Sequence, residues 1–172
     1  ILNPTNCDTA TITVVVEAAP IDALDDSYGP VNGYGGDPNV GNALDNDTLN
    51  GVAVDITDVT LTVVTAATPV TPGAPVPVVD PLTGVVSVPA GTPASTYTIE
   101  YRICENVNPA NCDTATITVV VAAAPIDAVD DSYGPVNGLT GGPNVGNALD
   151  NDTLNGVAVD ITDITLTVVT AA

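Results

Sequence analysis

Residues 96–121 read TYTIEYRICENVNPANCDTATITVVV, two alternating runs joined by a polar loop. In each run every second side chain is apolar, and successive side chains of a strand point to opposite faces of a sheet. The pattern predicts two strands, 96–104 and 114–121, joined as a hairpin with one buried face. The side chains predicted to face inward are Tyr97, Ile99, Tyr101, Ile103, Ala115, Ile117, Val119 and Val121.

Two cysteines stand at the base of this hairpin, on the outward parity of their strands. Cys104 ends the first strand and Cys112 begins the second. Opposed cysteines at this spacing can reach disulfide geometry. Closing so short a loop stabilises a fold by about 2–3 kcal/mol in the chain-entropy description. The alternative is two free thiols, but stable proteins of oxidising compartments seldom expose them. We therefore predict a Cys104–Cys112 disulfide.

The chain repeats itself at an interval of 105 residues. Three strings recur unchanged: 6–16 as 111–121, 25–33 as 130–138, and 38–58 as 143–163. Such a period has the size of a domain rather than of a solenoid repeat. A polar, proline-containing linker occurs at 18–28 and again at 123–133, and it marks the boundaries between repeats. We predict three parts: the C-terminal strand of a preceding repeat (1–19), one complete repeat (20–124), and the N-terminal part of a following repeat (125–172).

Cys7 is the counterpart of Cys112 in this repeat. The position that corresponds to its partner falls upstream of residue 1, outside this sequence. The chain also contains no Met. Since translation starts with Met, we expect the chain to be processed or to be a piece of something longer.

The rest of the complete repeat contains five further short runs with turn signals between them. We predict strands at 22–28, 39–44, 59–64, 75–79 and 85–89, and a connecting loop at 29–42 that overlaps the second run. In the run at 59–64, Val59, Leu61 and Val63 have the inward parity. Seven short strands at regular spacing predict an all-β, immunoglobulin-like Greek-key sandwich. The alternative is a generic all-β barrel.

The composition excludes several classes of function. The chain has 21 acidic residues, one Arg, no Lys and no His, and its net charge is −20. This charge repels phosphate backbones and anionic lipid, so we expect no nucleic-acid partner. Without His, the commonest general base is missing, and we expect no enzymatic activity. No run of 18 apolar residues occurs, so we expect no membrane insertion.

Acidic residues gather in the linker and in the segment 44–58, which we expect at one end of the sandwich together with Asp80 and Glu105. Carboxylates crowded at one end repel unless a cation joins them, and oxygen ligands without His or Cys suit Ca²⁺. The alternative is a solvated acidic surface whose Asp and Asn residues form turns; the spacing is not that of an EF-hand. The predicted calcium ligands are Asp25, Asp26, Asp45, Asp47 and Asp58, and in the following repeat Asp130, Asp131, Asp150, Asp152 and Asp163.

The motif A-x-DDSY…GN-x-L-x-ND-x-x-NG resembles the cadherin-like and immunoglobulin-like tandem repeats of giant bacterial surface adhesins. Residues 78–119 more specifically resemble repeats of large secreted surface proteins of Bacteroidetes, including gliding-motility-associated adhesins. The resemblance implies export, cell-surface display and long arrays that often bind Ca²⁺ at their junctions. The usual acidic D-x-D-x-D run after ND is replaced here by NDTLNG.

The same resemblance implies a modification. Bacteria of this group O-glycosylate Asp-Ser/Thr-apolar triplets of exported proteins, and the triplets DTA and DTL match. The candidate acceptors are Thr9, Thr48, Thr114 and Thr153.

These observations favour a structural spacer, that is, one segment of a tandem array that projects a distant adhesive tip from the cell. Its partners would be neighbouring identical repeats, and a cell-surface or substratum ligand would bind at the tip. One alternative is a filament protomer that self-assembles by strand exchange. Another is a carbohydrate-binding module or enzyme, which clustered exposed aromatic residues would favour.

Overall fold

A computed structural model describes residues 5–170 of the chain. The strands in this part are β1 (Ile21–Asp22), β2 (Asp26–Asn32), β3 (Asp37–Asn42), β4 (Thr48–Leu49), β5 (Val52–Ala53), β6 (Val59–Thr65), β7 (Val78–Val79), β8 (Val85–Val88), β9 (Ser95–Glu105), β10 (Cys112–Ala122), β11 (Ile126–Asp127), β12 (Thr153–Leu154) and β13 (Val157–Ala158). No helix long and apolar enough to cross a membrane occurs within 5–170.

The complete repeat is a sandwich of two sheets. One sheet has the order β2-β10-β9-β6 and the other the order β3-β8-β7. Neighbours in a sheet are therefore not always neighbours in sequence, as in a Greek key. The prediction of an all-β sandwich is confirmed.

The core lies between these two sheets. All eight side chains that the alternation of β9 and β10 places inward are buried, and Tyr101, Ile99, Ile103 and Ile117 are the largest fully buried ones there. From the facing sheet, Val86 and Val88 of β8 complete the contact. Burying side chains of this size stabilises the fold by roughly 1.5–3 kcal/mol each.

The hairpin of β9 and β10 carries a disulfide. Cys104 and Cys112 lie directly opposite each other in the register, and their sulfur atoms are 2.03 Å apart. Both side chains are half-buried and lie on the opposite parity from Ile103, on the outer face of the sheet, as the alternation predicts.

The first and last strands of the sandwich run parallel. β2 pairs with β10 from Asp26 beside Ile117 to Asn32 beside Ala122. One extra residue bulges from β2 near Pro30, which has no N–H to donate and is tolerated because β2 is an edge strand. The chain therefore starts the sandwich at one end and leaves it at the other.

Two predictions about the start of the repeat are wrong. The predicted strand 22–28 is divided into β1 and β2, because Ala23–Asp25 leave the sheet to bond elsewhere. The predicted loop 29–42 is largely strand, with only 33–36 left as the turn between β2 and β3. Glycine and proline in this stretch suggested a loop, but pairing with β10 and β8 outweighs their local preference.

The segment 44–58 contains the β4–β5 hairpin, which forms a small sheet with β1. Its turn is Asn50–Gly51, and both residues have positive φ, 55° and 73°. Two consecutive residues of this kind define the hairpin turn that Asn-Gly favours. The Asn-Gly dipeptide was therefore the signal that would have predicted this hairpin.

In the following repeat only the small sheet recurs, as β11-β12-β13. The counterparts of β2, β3 and β6, at 131–137, 142–147 and 164–170, form no strand. Within 20–124, β2 pairs with β10, β3 with β8 and β6 with β9. The division of the chain at 1–19, 20–124 and 125–172 stays a prediction.

Candidate functional site

The acidic residues at the start of the repeat accept hydrogen bonds from backbone N–H groups. Asp25 Oδ1 accepts from Thr116 N at 2.8 Å, and Asp113 Oδ2 accepts from Ala23 N at 2.9 Å. These two bonds tie the segment between β1 and β2 to β10 from both directions. The carboxylates therefore act here as acceptors where the sheet ladder is interrupted.

Asp47 is the most deeply buried carboxylate of this group, with 1% of its surface exposed. Its Oδ1 accepts from Leu24 N at 2.8 Å, and the Tyr101 hydroxyl lies 3.0 Å from each carboxylate oxygen. Burial raises the pKa of Asp47, and the bonds from Leu24 and Tyr101 act in the opposite direction. Burial, with the charge of Asp47 second, also raises the pKa of Tyr101, so the hydroxyl keeps its proton and donates.

A second polar contact joins β2 to β3. The Tyr28 hydroxyl donates to the carbonyl oxygen of Asn42 at 2.8 Å and lies 3.2 Å from Asp26 Oδ1. The ring of Tyr28 rests on Gly41, where a Cβ atom would collide with it. This close approach explains why the sequence has Gly at this position of a strand.

Asp26 is the least satisfied buried group of the site. The side chain is 8% exposed, and its Oδ2 has no hydrogen-bond partner. Burial, with a smaller contribution from the neighbouring charges of Asp47, Asp45 and Asp25, raises the pKa of Asp26 to about 6. The exposed Asp55 shows the opposite effect, because hydrogen bonds from the backbone N–H and the hydroxyl of Thr57 lower its pKa.

The predicted calcium ligands lie in different environments. Asp25 and Asp47 bond to the protein, Asp26 lies beside Ile117 within the length of β10, and Asp45 and Asp58 are exposed. Within residues 5–170, no three or more His, Cys, Asp or Glu side chains are placed to hold a metal ion. The calcium site with these ligands stays a prediction.

The following repeat reproduces part of the same network. Asp152 is buried and accepts from Val129 N at 2.8 Å, and the Tyr133 hydroxyl donates to the carbonyl of Asn147 at 2.6 Å. The remaining predicted ligands there, Asp130, Asp131, Asp150 and Asp163, are exposed. Both bonds join residues of this stretch that are at most 23 positions apart.

The candidate glycosylation sites lie in different environments. Thr9 is exposed outside any strand, and Thr114 is exposed on β10. Thr48 and Thr153 are half-buried in β4 and β12. Their modification stays a prediction.

Sequence reasoning missed the roles of Tyr28 and Asp113. Asp26 and Tyr28 stand two residues apart on one strand, so they share a face, and this spacing was a usable signal. Nothing local marks Asp113, because its partner Ala23 is 90 residues away.

No protein-family model matches the chain, and no curated protein matches it. Among solved structures, the crystal structure of the human desmocollin-1 ectodomain is similar, with a TM-score of 0.44 and 14% sequence identity. The match covers 69% of this chain and 22% of that chain, so this chain spans about a fifth of that ectodomain. At this identity the likeness concerns the fold alone.

Proposed function

We propose that the chain is a spacer segment of a long extracellular adhesin or surface filament, in which sandwiches follow one another in line. The observation that carries the proposal is the parallel pairing of β2 with β10. Because the first and last strands run the same way, each repeat receives the chain at one end and passes it on at the other. Repetition of such a unit extends a molecule instead of folding it back.

The dimensions of the repeat suit this role. Its longest strands, β9 and β10, have 11 residues each. At ~3.3 Å per residue such a strand spans roughly 36 Å. Each repeat would therefore add about that length, so a modest number of repeats would project a tip hundreds of ångströms from the cell.

The chemistry of the repeat supports an extracellular setting. Disulfides persist in oxidising compartments, and Cys104 and Cys112 form one across the β9–β10 hairpin. A net charge of −20 keeps neighbouring molecules apart and soluble. The partners of such a spacer are identical repeats before and after it, with ligand recognition left to a distant tip.

The segment 6–16 supports a neighbour on the N-terminal side. It has the sequence of 111–121, yet Ile12 is 87% exposed whereas its counterpart Ile117 is 0% exposed. A segment with this alternating apolar pattern needs a sheet to pair with before it can bury those side chains. In the spacer, the sheet belongs to a preceding repeat of the same molecule.

The same exposed segment is the observation that favours the second candidate, a protomer that donates 6–16 to another molecule. Sedimentation over a range of concentrations separates the two. Growth into long oligomers would support strand exchange, whereas a monomer at all concentrations would support the covalent array.

Display on the cell surface has a direct test. An antibody raised against residues 20–124 should label intact cells of the source organism. Labelling that appears only after the cells are permeabilised would overturn the proposal.

A further inference from the structure

At the end of the sandwich where β10 stops, two turns lie side by side and form the surface. Gly33 N donates to the carbonyl of Ala122 at 3.0 Å, and Gly91 N donates to the carbonyl of Gly33 at 2.8 Å. The β2–β3 turn therefore lies against the loop that precedes β9. We call residues 33–36 and 91–94 together the distal end of the repeat.

The hairpin of the following repeat sits against this distal end. Asn32 Nδ2 donates to Asn155 Oδ1 at 2.7 Å, which joins β2 of one repeat to the β12–β13 turn of the next. Beside this bond lies a largely apolar groove. Its walls come from both repeats and include Tyr34, Thr92, Pro93, Ile126, Leu154 and Ile164.

Asn155 occupies a defined turn conformation at this contact. Its φ is 54°, and its N–H donates to the carbonyl of Pro125 at 2.8 Å. Asn50 in the complete repeat has the same features, a φ of 55° and a bond from its N–H to the carbonyl of Pro20 at 2.7 Å. The two hairpins are alike in conformation and sequence, but Asn50 is exposed and Asn155 is half-buried.

The difference in exposure follows from what faces each hairpin, since only Asn155 has a distal end in front of it within the described residues. The β2–β3 turn differs most between the two repeats, but its residue at the groove stays large and partly apolar. Tyr34 is replaced by Leu139, another large side chain with apolar surface, although the neighbouring residues change.

We propose that the distal end is a docking surface for the Asn-Gly hairpin of the next copy of the repeat, and that the Asn32–Asn155 hydrogen bond sets the rotation between the two copies. The proposal rests on the in-line array proposed above and specifies its joint. The Asn50 hairpin would then make the same contact with the distal end of a preceding copy.

Backbone amide NMR of the full chain tests this joint with two matched pairs of variants. In Asn155→Ala, the amide signals of Gly33, Tyr34 and Thr92 should shift, whereas Asn50→Ala, the same change in the other hairpin, should leave them in place. In Asn32→Ala, the amides of Asn155 and Gly156 should shift, whereas Asn137→Ala should not move them. Residual dipolar couplings should fit one common alignment for both repeats in the native chain and two different ones in Asn155→Ala.

Unmoved signals at Gly33, Tyr34 and Thr92 in Asn155→Ala would overturn the joint, as would an equal shift in Asn50→Ala. The chemical-shift dispersion of the amide signals from 20–124 reports separately on whether the sandwich is folded. If that dispersion is kept while the joint signals fail to respond, only the joint is wrong. The spacer itself is tested independently by surface labelling.

Discussion

At the scale of single residues, several acidic side chains of the repeat act as hydrogen-bond acceptors. Asp25, Asp47 and Asp113 each accept a backbone N–H that no sheet ladder satisfies. Each bond to a charged acceptor is worth about 1.5–3 kcal/mol. Asp26 is different, because one of its oxygens is buried without a partner.

Asp26 should make the repeat less stable as the pH rises. Its pKa is about 6 in the folded chain against an ordinary value of 3.8, so the folded state holds the proton more tightly. The associated stability is complete below pH 3.8 and is lost as the pH rises through 6. Asp26→Asn should therefore raise the free energy of unfolding at pH 7 by about 1–3 kcal/mol, with little effect at pH 4.

Urea unfolding of the native chain and of Asp26→Asn from pH 4 to pH 8 measures this difference in the free energy of unfolding. Asp131→Asn, the same change at the exposed counterpart, is the control and should leave the pH dependence unchanged. A constant gap between Asp26→Asn and the native chain at all pH values would contradict the prediction.

Gly41 is required by the ring of Tyr28 that rests on it. Gly41→Ala should lower the free energy of unfolding by about 1–3 kcal/mol, because a new methyl group must displace the ring. Gly35→Ala is the control, since nothing lies within 4 Å of a Cβ atom there. Equal stabilities of the two variants in thermal unfolding would argue against the close contact.

At the scale of the elements, the long alternating strands form where their sequence predicts them, and the short ones depend on their neighbours. β9 and β10 match the predicted runs to within two residues and bury the predicted side chains. β7 has only two residues where five were predicted, and β1 separates from β2. A two-residue strand carries too little pattern to be read from sequence.

The disulfide pins the ends of β9 and β10 together. The double variant Cys104→Ala/Cys112→Ala should lose about 2–3 kcal/mol of stability, because a short loop is no longer closed in the unfolded chain. Chemical reduction of the native chain should produce the same loss in denaturant unfolding. The double variant itself should not respond to the reductant, and a further loss there would show that the reductant acts elsewhere.

At the scale of the whole molecule, the net charge of −20 is the largest unbalanced feature. Repulsion among so many carboxylates lowers stability at low salt and weakens as salt screens it. Since no three acidic side chains within residues 5–170 are placed to hold a metal ion, this response should depend on ionic strength rather than on one particular cation.

Calcium and magnesium at equal ionic strength should therefore raise the Tm of the chain to the same extent, measured by calorimetry with and without a chelator. A larger shift that is specific to Ca²⁺ would contradict this expectation. If Asp25→Asn then removed that shift while Asp8→Asn did not, the predicted calcium site would be confirmed.

The sequence by itself determined the two-residue alternation, the 105-residue repeat and the position of the disulfide, because each is carried by residues close in the chain or identical between copies. Only the tertiary structure decided that β2 runs parallel to β10 and that Asp113 meets Ala23. It also decided that Asp25 and Asp47 accept hydrogen bonds from backbone N–H groups. These contacts join residues between 23 and 91 positions apart, and contacts at such separations leave no local pattern in the sequence.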